Sequence, residues 1–319
     1  MHKYNQKKRK NQALIGKIEK HVSEQRLDDI KNCCNLLEFI ADAEEKKRKM
    51  IKGITCKNRF CPLCSWRKAK KDAMVMSTMM RYISCEHEKT FIFLTLTIPN
   101  VTGAELKSAI RNMNIALKKL FKRKEVMRVS HGYMRKLEIT YNSKRRDFHP
   151  HIHAVLAVNK SYGKKVGFYL TQPAWLQLWR DCTGDQSITQ VDVRKMDMTK
   201  GVNEIAKYTA KDSDYLHSDE VFDIFYGALH GAQVLTYNGI FKQAKMLYDD
   251  DKLEAYKQVD ETEYTYKILS SWFHISEPDD NGEVKVDTYQ DIDTRLLTDD
   301  EKAEYNFKSM GESEDFKDE

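Results

Sequence analysis

The chain has 319 residues, of which 41% are hydrophobic and 32% charged, with a formal net charge of +6. Such a composition excludes a disordered or fibrous chain and leaves room for one large domain or two smaller ones. The opening MHKYNQKKRKNQ is basic with no apolar stretch behind it, and no run approaches the roughly 20 apolar residues of a spanning helix; no signal peptide and no membrane partner are expected, and the reading is cytoplasmic.

Residues 13–50 read as helical and polar, broken near Lys31–Asn35. Residues 67–84, RKAKKDAMVMSTMMRYIS, read as a helix with basic first turns and a Met-rich later face suited to core packing. The run TFIFLTLTI at 90–98 is a strand stopped by Pro99 and Asn100, and a basic helix is expected from Gly103 to about Lys124. Residues 132–141 and 151–158 read as two strands joined by the charged turn NSKRRDFHP, an antiparallel hairpin. A short helix over Pro173–Asp181 puts Trp175 and Trp179 on one face. It is followed by the strand SITQVDVRKM, the helical VNEIAKYTAK and further helix over much of Asp219–Asp250. Four strands with helices beside them give an α+β fold with a central antiparallel sheet. From Glu277 to Glu319, 16 acidic residues stand against 5 basic ones, a net −11 that leaves +17 on residues 1–276. The basic body implies a polyanionic partner, and the tail has too few apolar residues to fold alone. The expected organisation is a basic N-terminal region at 1–84, a main α+β domain with a helical C-terminal part at 85–276 and a mobile acidic tail at 277–319.

His151 and His153 stand two apart in an alternating run, so a strand would point both imidazoles to one face. If Glu138 lies opposite either of them across the hairpin, two nitrogens and one carboxylate meet around a point. That donor set suits a divalent ion which must also hold a phosphate oxygen: Mn²⁺ tolerates imidazole better, Mg²⁺ is more abundant. His149, held extended before Pro150, is either a supporting partner of the site or a turn residue. Glu204 and Tyr208, four apart, share a helix face. A metal site, a phenol and a carboxylate in one basic protein point to phosphodiester cleavage by a tyrosine nucleophile; the bland alternative is an ordinary exposed pair. Tyr215 is a rival nucleophile beyond Asp212 and Asp214.

Cys56, Cys61 and Cys64 follow the spacing C-x4-C-x2-C in CKNRFCPLCSWRK, and Cys33 or Cys34 would complete a tetrahedral thiolate site for structural zinc. Lys57, Arg59, Arg67, Lys68, Lys70 and Lys71 around it would make a phosphate-binding platform. Trp66 either stacks on an unpaired base or packs in the core. Cys85 and Cys182 have no metal-ligand context.

FLTLT at 93–97, LEITYN at 137–142, HPHIH at 149–153 and EIAKYTAK at 204–211 resemble, in this order, the motifs of the HUH endonucleases. The resemblance is closest to the initiators of small Gram-positive plasmids that replicate by rolling circle, and it runs from Cys33 to Leu247, including YNGIFKQAKML. It implies a ferredoxin-like palm, a nick at a double-strand origin presented as a hairpin or single strand, and a covalent 5′-phosphotyrosine. By position, His151, His153 and Glu138 become metal ligands and Tyr208 the nucleophile, flanked by Lys207 and Lys211. Glu204 stands where the group has a carboxylate in place of a second tyrosine, and KNCCNLLEF favours Cys33 as the fourth zinc ligand. Host helicase and polymerase are the implied protein partners. Rival readings are a relaxase or transposase of the same group, and a zinc-containing DNA-binding regulator without catalysis.

Overall fold

A computed structural model describes residues 1–163, 169–197, 202, 210–279 and 282–306. The chain divides into two units, residues 1–71 with 258–319 and residues 72–257. No helix among the described residues is long and apolar enough to cross a membrane.

The first unit opens with α1 (His2–Ile18), whose buried positions Tyr4, Lys8, Asn11, Leu14 and Ile18 recur every three or four residues, as one helix face must. Helix α2 (Glu24–Lys31) follows, then strands β1 (Leu36–Asp42) and β2 (Arg48–Gly53). The helical expectation for residues 13–50 thus fails beyond Lys31. Leu37, Phe39, Ile40 and Ala41 are all buried, as in a central strand covered on both faces. β1 is central because it also pairs with a strand more than 220 positions later, Leu36 opposite Ser271, which no local period reveals. Helix α3 (Pro62–Glu86) carries its first turns in this unit and the remainder in the second. Its Met76, Met79 and Met80 are fully buried, in keeping with core packing.

In the second unit, β3 (Lys89–Thr97) leads to α4 (Gly103–Leu120), where Glu105 accepts the Thr102 N–H at 2.9 Å in a capping box. After α5 (Lys124–Val129), β4 (Ser130–Asn142) and β5 (Asp147–Asn159) form the expected hairpin. Its turn is shorter than the sequence suggests: Asn142 Oδ1 accepts from the Lys144 and Arg145 amides, both at 3.0 Å, and Arg146 takes the left-handed conformation. Helix α6 (Gln172–Thr183) begins at Thr171, whose hydroxyl accepts from Ala174, and ends at left-handed Gly184. Trp175 and Trp179 are both fully buried, and the Trp179 indole donates to the Thr97 carbonyl at 2.7 Å, tying α6 to the end of β3. β6 (Val191–Lys195), α7 (Asp212–Tyr215), α8 (Asp219–Leu229), β7 (Leu235–Gly239) and α9 (Ile240–Asp249) complete the unit.

The sheet order is β6-β3-β5-β4-β7, and every neighbouring pair is antiparallel. The four expected strands are present in β-α-β-β-α-β sequence, and β7 is an edge strand inside a region read as helical. A Cβ on Gly239 would lie 2.4 Å from the His131 carbonyl oxygen, so only glycine permits this close approach of β7 to β4 before the chain turns into α9. The expected helix over VNEIAKYTAK falls almost wholly outside the described residues.

The chain returns to the first unit as β8 (Tyr264–Asp279), β9 (Gly282–Leu296) and α10 (Asp299–Asn306), giving a sheet in the order β2-β1-β8-β9. The boundaries expected at 84/85 and 276/277 are therefore corrected. Residue 277 lies inside β8, where Glu277 pairs with Val284, and the described acidic residues from Glu277 to Glu304 belong to β8, β9 and α10. The reason is again long-range: Ile40, Tyr264 and Leu297 form a small core joined by Ile51 and Tyr305, so the segment borrows the apolar surface it lacks. Asp260 anchors it, accepting from the Tyr264 hydroxyl at 2.8 Å and pairing with Lys49 at 3.3 Å.

Candidate functional site

Sheet register builds the first constellation. Glu138 of β4 is directly opposite His151 of β5, and Lys136 is opposite His153. On the other side of β5, Thr95 of β3 is opposite His153. Directly paired residues share a face, so these side chains converge. Glu138 Oε2 lies 2.8 Å from His153 Nε2 and 3.1 Å from His151 Nε2, with all three side chains 10–14% exposed. The outer nitrogens are held as well: His151 Nδ1 donates to the His149 carbonyl at 3.2 Å, and His153 Nδ1 is 3.1 Å from the Thr95 hydroxyl.

With Nδ1 of His151 committed as a donor, its Nε2 in the neutral ring is a lone pair aimed at a carboxylate oxygen. A proton on Nε2 would make the 3.1 Å contact an ordinary hydrogen bond, whereas a metal ion between the two atoms would take both as ligands. The set fits a divalent cation, since each histidine is fixed by a second hydrogen bond through its outer nitrogen, in the manner of metal-binding histidines. Burial pushes the Glu138 carboxyl upward, but hydrogen bonds and charge from His151 and His153 outweigh it and hold the group well below the ordinary carboxylate range. His149 stays outside the trio, its ring 5.3 Å from that of His151; burial and the His151 charge lower its pKa. Lys136 is only 6% exposed on this same face. It was missed in the sequence, although period two from Glu138 places it there.

Tyr208, Glu204 and Lys207 lie outside the described residues. Lys211 is exposed at the start of α7, and its carbonyl accepts the Asp214 and Tyr215 amides. Asp214 Oδ2 in turn accepts the Tyr141 amide at 3.2 Å, which fixes α7 beside the end of β4. Tyr215 is 3% exposed and packs edge-on to Phe222 and Phe225. That burial counts against Tyr215 as the rival nucleophile.

The second constellation lies in the first unit. Cys33 follows α2, Cys56 follows β2, and Cys61 and Cys64 open α3; their sulfur atoms all lie within 4.8 Å of one another. Sγ separations are 3.5 Å for Cys33–Cys64 and 3.6 Å for both Cys56–Cys64 and Cys33–Cys61. A tetrahedron with zinc–sulfur bonds of about 2.3 Å has edges of about 3.8 Å, so the cluster is nearly the size a zinc ion needs. Hydrogen bonds from its neighbours, Cys34 first, push the Cys33 thiol far down, while the bond to Cys33 pushes Cys61 up. The structure chooses Cys33 over Cys34, which lies outside the four with its Sγ 3.8 Å from that of Cys33.

Around the cluster, Arg59, Lys68 and Lys71 are exposed and Arg67 and Lys70 are half-buried. Trp66 is 4% exposed, packs edge-on to Tyr4 at 4.9 Å and carries Lys70 over its ring at 4.4 Å. It is a core residue and no stacking platform. Cys182 is buried in α6, and Cys85 is exposed. Lys8, unremarked in the sequence, is buried with its Nζ on the Cys33 carbonyl at 2.7 Å.

Comparison with known proteins adds the lineage. A family described as "Replication protein" matches residues 47–281. "Protein rep" of Staphylococcus aureus is 50% identical over 218 residues, covering 68% of this chain and 95% of that protein. "Protein rep" of Lentilactobacillus hilgardii is 31% identical over 245 residues, covering 71% of this chain and 76% of the relative. The protein of the same description from Streptococcus pneumoniae is 29% identical over 260 residues, with 77% and 81% covered. No solved structure matches the chain.

Proposed function

The chain belongs to the replication protein family, and from that premise we propose that it is a plasmid rolling-circle initiator, a strand-specific DNA nickase and strand transferase of the HUH type. The observation that carries the reading is the convergence of Glu138, His151 and His153 on adjacent strands. The β-α-β-β-α-β succession with strand order β6-β3-β5-β4 supports a ferredoxin-like palm beneath that site.

Tyr208 is the nucleophile. Its phenolate oxygen attacks phosphorus and displaces the 3′-oxygen, which leaves as a 3′-hydroxyl primer, while the 5′-phosphate stays esterified to the tyrosine. A phenol of pKa about 10 needs its anion stabilised, and Lys207 and Lys211 supply positive charge beside it. Chain connectivity supports the assembly. Asp214 is tied to Tyr141, three residues or about 10 Å along β4 from Glu138. Tyr208 is six residues from Asp214, within an extended reach of about 20 Å. A divalent cation, Mg²⁺ or Mn²⁺, held by Glu138, His151 and His153 would polarise the scissile phosphate. At termination Glu204 takes a proton from water, which hydrolyses the phosphotyrosine and releases the protein.

In the first unit Cys33, Cys56, Cys61 and Cys64 hold structural zinc, and Arg59, Arg67, Lys68, Lys70 and Lys71 bind the DNA backbone. Origin DNA is the partner, host helicase and polymerase follow it, and the site of action is the bacterial cytoplasm. A supercoiled plasmid carrying the cognate origin tests the reading: the protein should relax it with Mn²⁺ or Mg²⁺, and His151→Ala should not. A mobility shift without relaxation would make the protein a DNA-binding regulator instead.

A further inference from the structure

Lysines on helices normally bury the stem and keep the ammonium in water. Lys8, in the middle of α1, is 1% exposed. Its Nζ donates to the carbonyl oxygens of Cys33 at 2.7 Å and Lys31 at 3.1 Å. These acceptors satisfy N–H groups but are neutral, and among the described residues no carboxylate forms an ion pair with it. A buried ammonium without a counter-charge is costly. The negative charge near Lys8 is on sulfur: four thiolates around a dication carry a net −2, and Cys33, Cys56 and Cys61 are buried.

We propose that Lys8 is the counter-cation of the Cys33, Cys56, Cys61 and Cys64 metal centre, which makes helix α1 part of that centre. The inference rests on the zinc reading above. The contacts around Cys33 fit it. Asn11 donates to the Ile30 carbonyl at 2.8 Å, so α1 grips three carbonyls, those of Ile30 and Lys31 at the end of α2 and that of Cys33 just beyond it. The Cys56 amide donates to Cys33 Sγ at 3.4 Å, and the Tyr289 hydroxyl holds the Cys34 carbonyl at 2.5 Å. The same helix reaches the edge strand β9, where Asn5 accepts the Tyr289 amide at 2.8 Å and Arg9 donates to the Asp287 carbonyl at 2.9 Å. Metal loading is thereby linked to the docking of α1 and to the protection of that sheet edge.

The competing account is that Lys8 merely caps the C-terminus of α2. The two accounts differ in whether the effect depends on the charge of the ligand set. The test measures zinc affinity of the full chain by chelator competition, with the thiolate charge-transfer band of the cobalt-substituted protein as a second signal. Lys8→Met should weaken zinc roughly 10–100-fold, as loss of outer-shell partners does, and Lys8→Arg should restore most of it. In a Cys64→His background, which keeps four ligands but removes one negative charge, the Lys8→Met penalty should shrink. An equal penalty in both backgrounds, or wild-type affinity in Lys8→Met, overturns the proposal. Should Lys8→Met not fold, Lys8→Gln decides, since it still donates to the carbonyls without charge: weaker zinc supports the proposal and unchanged affinity overturns it. A wild-type chain that binds no zinc would instead defeat the zinc reading itself.

Discussion

The two constellations are built by opposite means. Glu138, His151 and His153 sit on two neighbouring strands whose backbone register fixes them before any ion arrives. The four cysteines come from the end of α2, the segment after β2 and the start of α3, and little regular structure joins them. A site printed on a sheet can lose a ligand and keep its fold, whereas a site that gathers loops is itself part of the fold. The first arrangement suits chemistry on a substrate and the second suits structure.

The largest expected effect follows from the loop-gathered site. Stripping zinc with chelator, or Cys61→Ser, should remove most of the folding free energy that structural zinc supplies, on the order of 10 kcal/mol. Hydrogen exchange should then rise sharply over residues 24–71 and stay protected over β3, β4 and β5. Equal loss of protection in both units would erase the distinction. At the sheet-borne site the order of effects reverses. His151→Ala or His153→Ala should lower metal-supported nicking by several kcal/mol, about a thousandfold or more, while thermal unfolding moves by only a few degrees. A collapse of stability comparable to that of Cys61→Ser would show that the histidines are structural.

Glu204→Gln should leave formation of the covalent complex intact but slow its hydrolysis by about 100-fold, because an amide cannot accept the proton. Single-turnover rates of adduct formation and decay on an origin oligonucleotide would show it; equal slowing of both steps would make Glu204 a positioning residue. The smallest effect concerns the returning segment of the first unit. Burial raises the Asp260 carboxyl, but hydrogen bonds from Tyr264 and Thr262, with the charge of Lys49, leave it below its usual value. A depressed carboxylate stabilises the fold above its unfolded pKa of about 3.9, and that contribution is lost as pH falls through the folded value. Asp260→Asn should therefore destabilise the unit by about 1–3 kcal/mol near neutral pH and reduce the steepness of its acid unfolding. Identical acid transitions in variant and wild type would contradict this.

What was legible in the sequence tracks the range of the interactions involved. The β4–β5 hairpin, the Glu138 pairing and helices α4 and α6 follow from period and turn residues within a few dozen positions. The first unit did not, because β1 becomes a central strand through β8, and Leu297 finds its core partner in Ile40. An acidic stretch read alone lacks the apolar surface to fold, and the surface it uses sits at the other end of the chain. β7 was hidden for a different reason: it is short and lies between two good helices, and the need for Gly239 at its end shows only when β4 is placed beside it. Lys8 was hidden because a lysine in a basic segment gives no sign of burial, and the period that places Lys136 on the face of Glu138 says nothing of its burial.

On the proposed function, a phosphodiester is broken by attack of the Tyr208 phenolate. This step is tested most directly by mass spectrometry of the protein after reaction with an origin oligonucleotide and a divalent cation. The account predicts one DNA 5′-phosphoryl adduct, mapped to the peptide that carries Tyr208 and abolished in Tyr208→Phe, with DNA binding nearly unchanged in that variant. An adduct on another residue, or nicking at full rate by Tyr208→Phe, would contradict it.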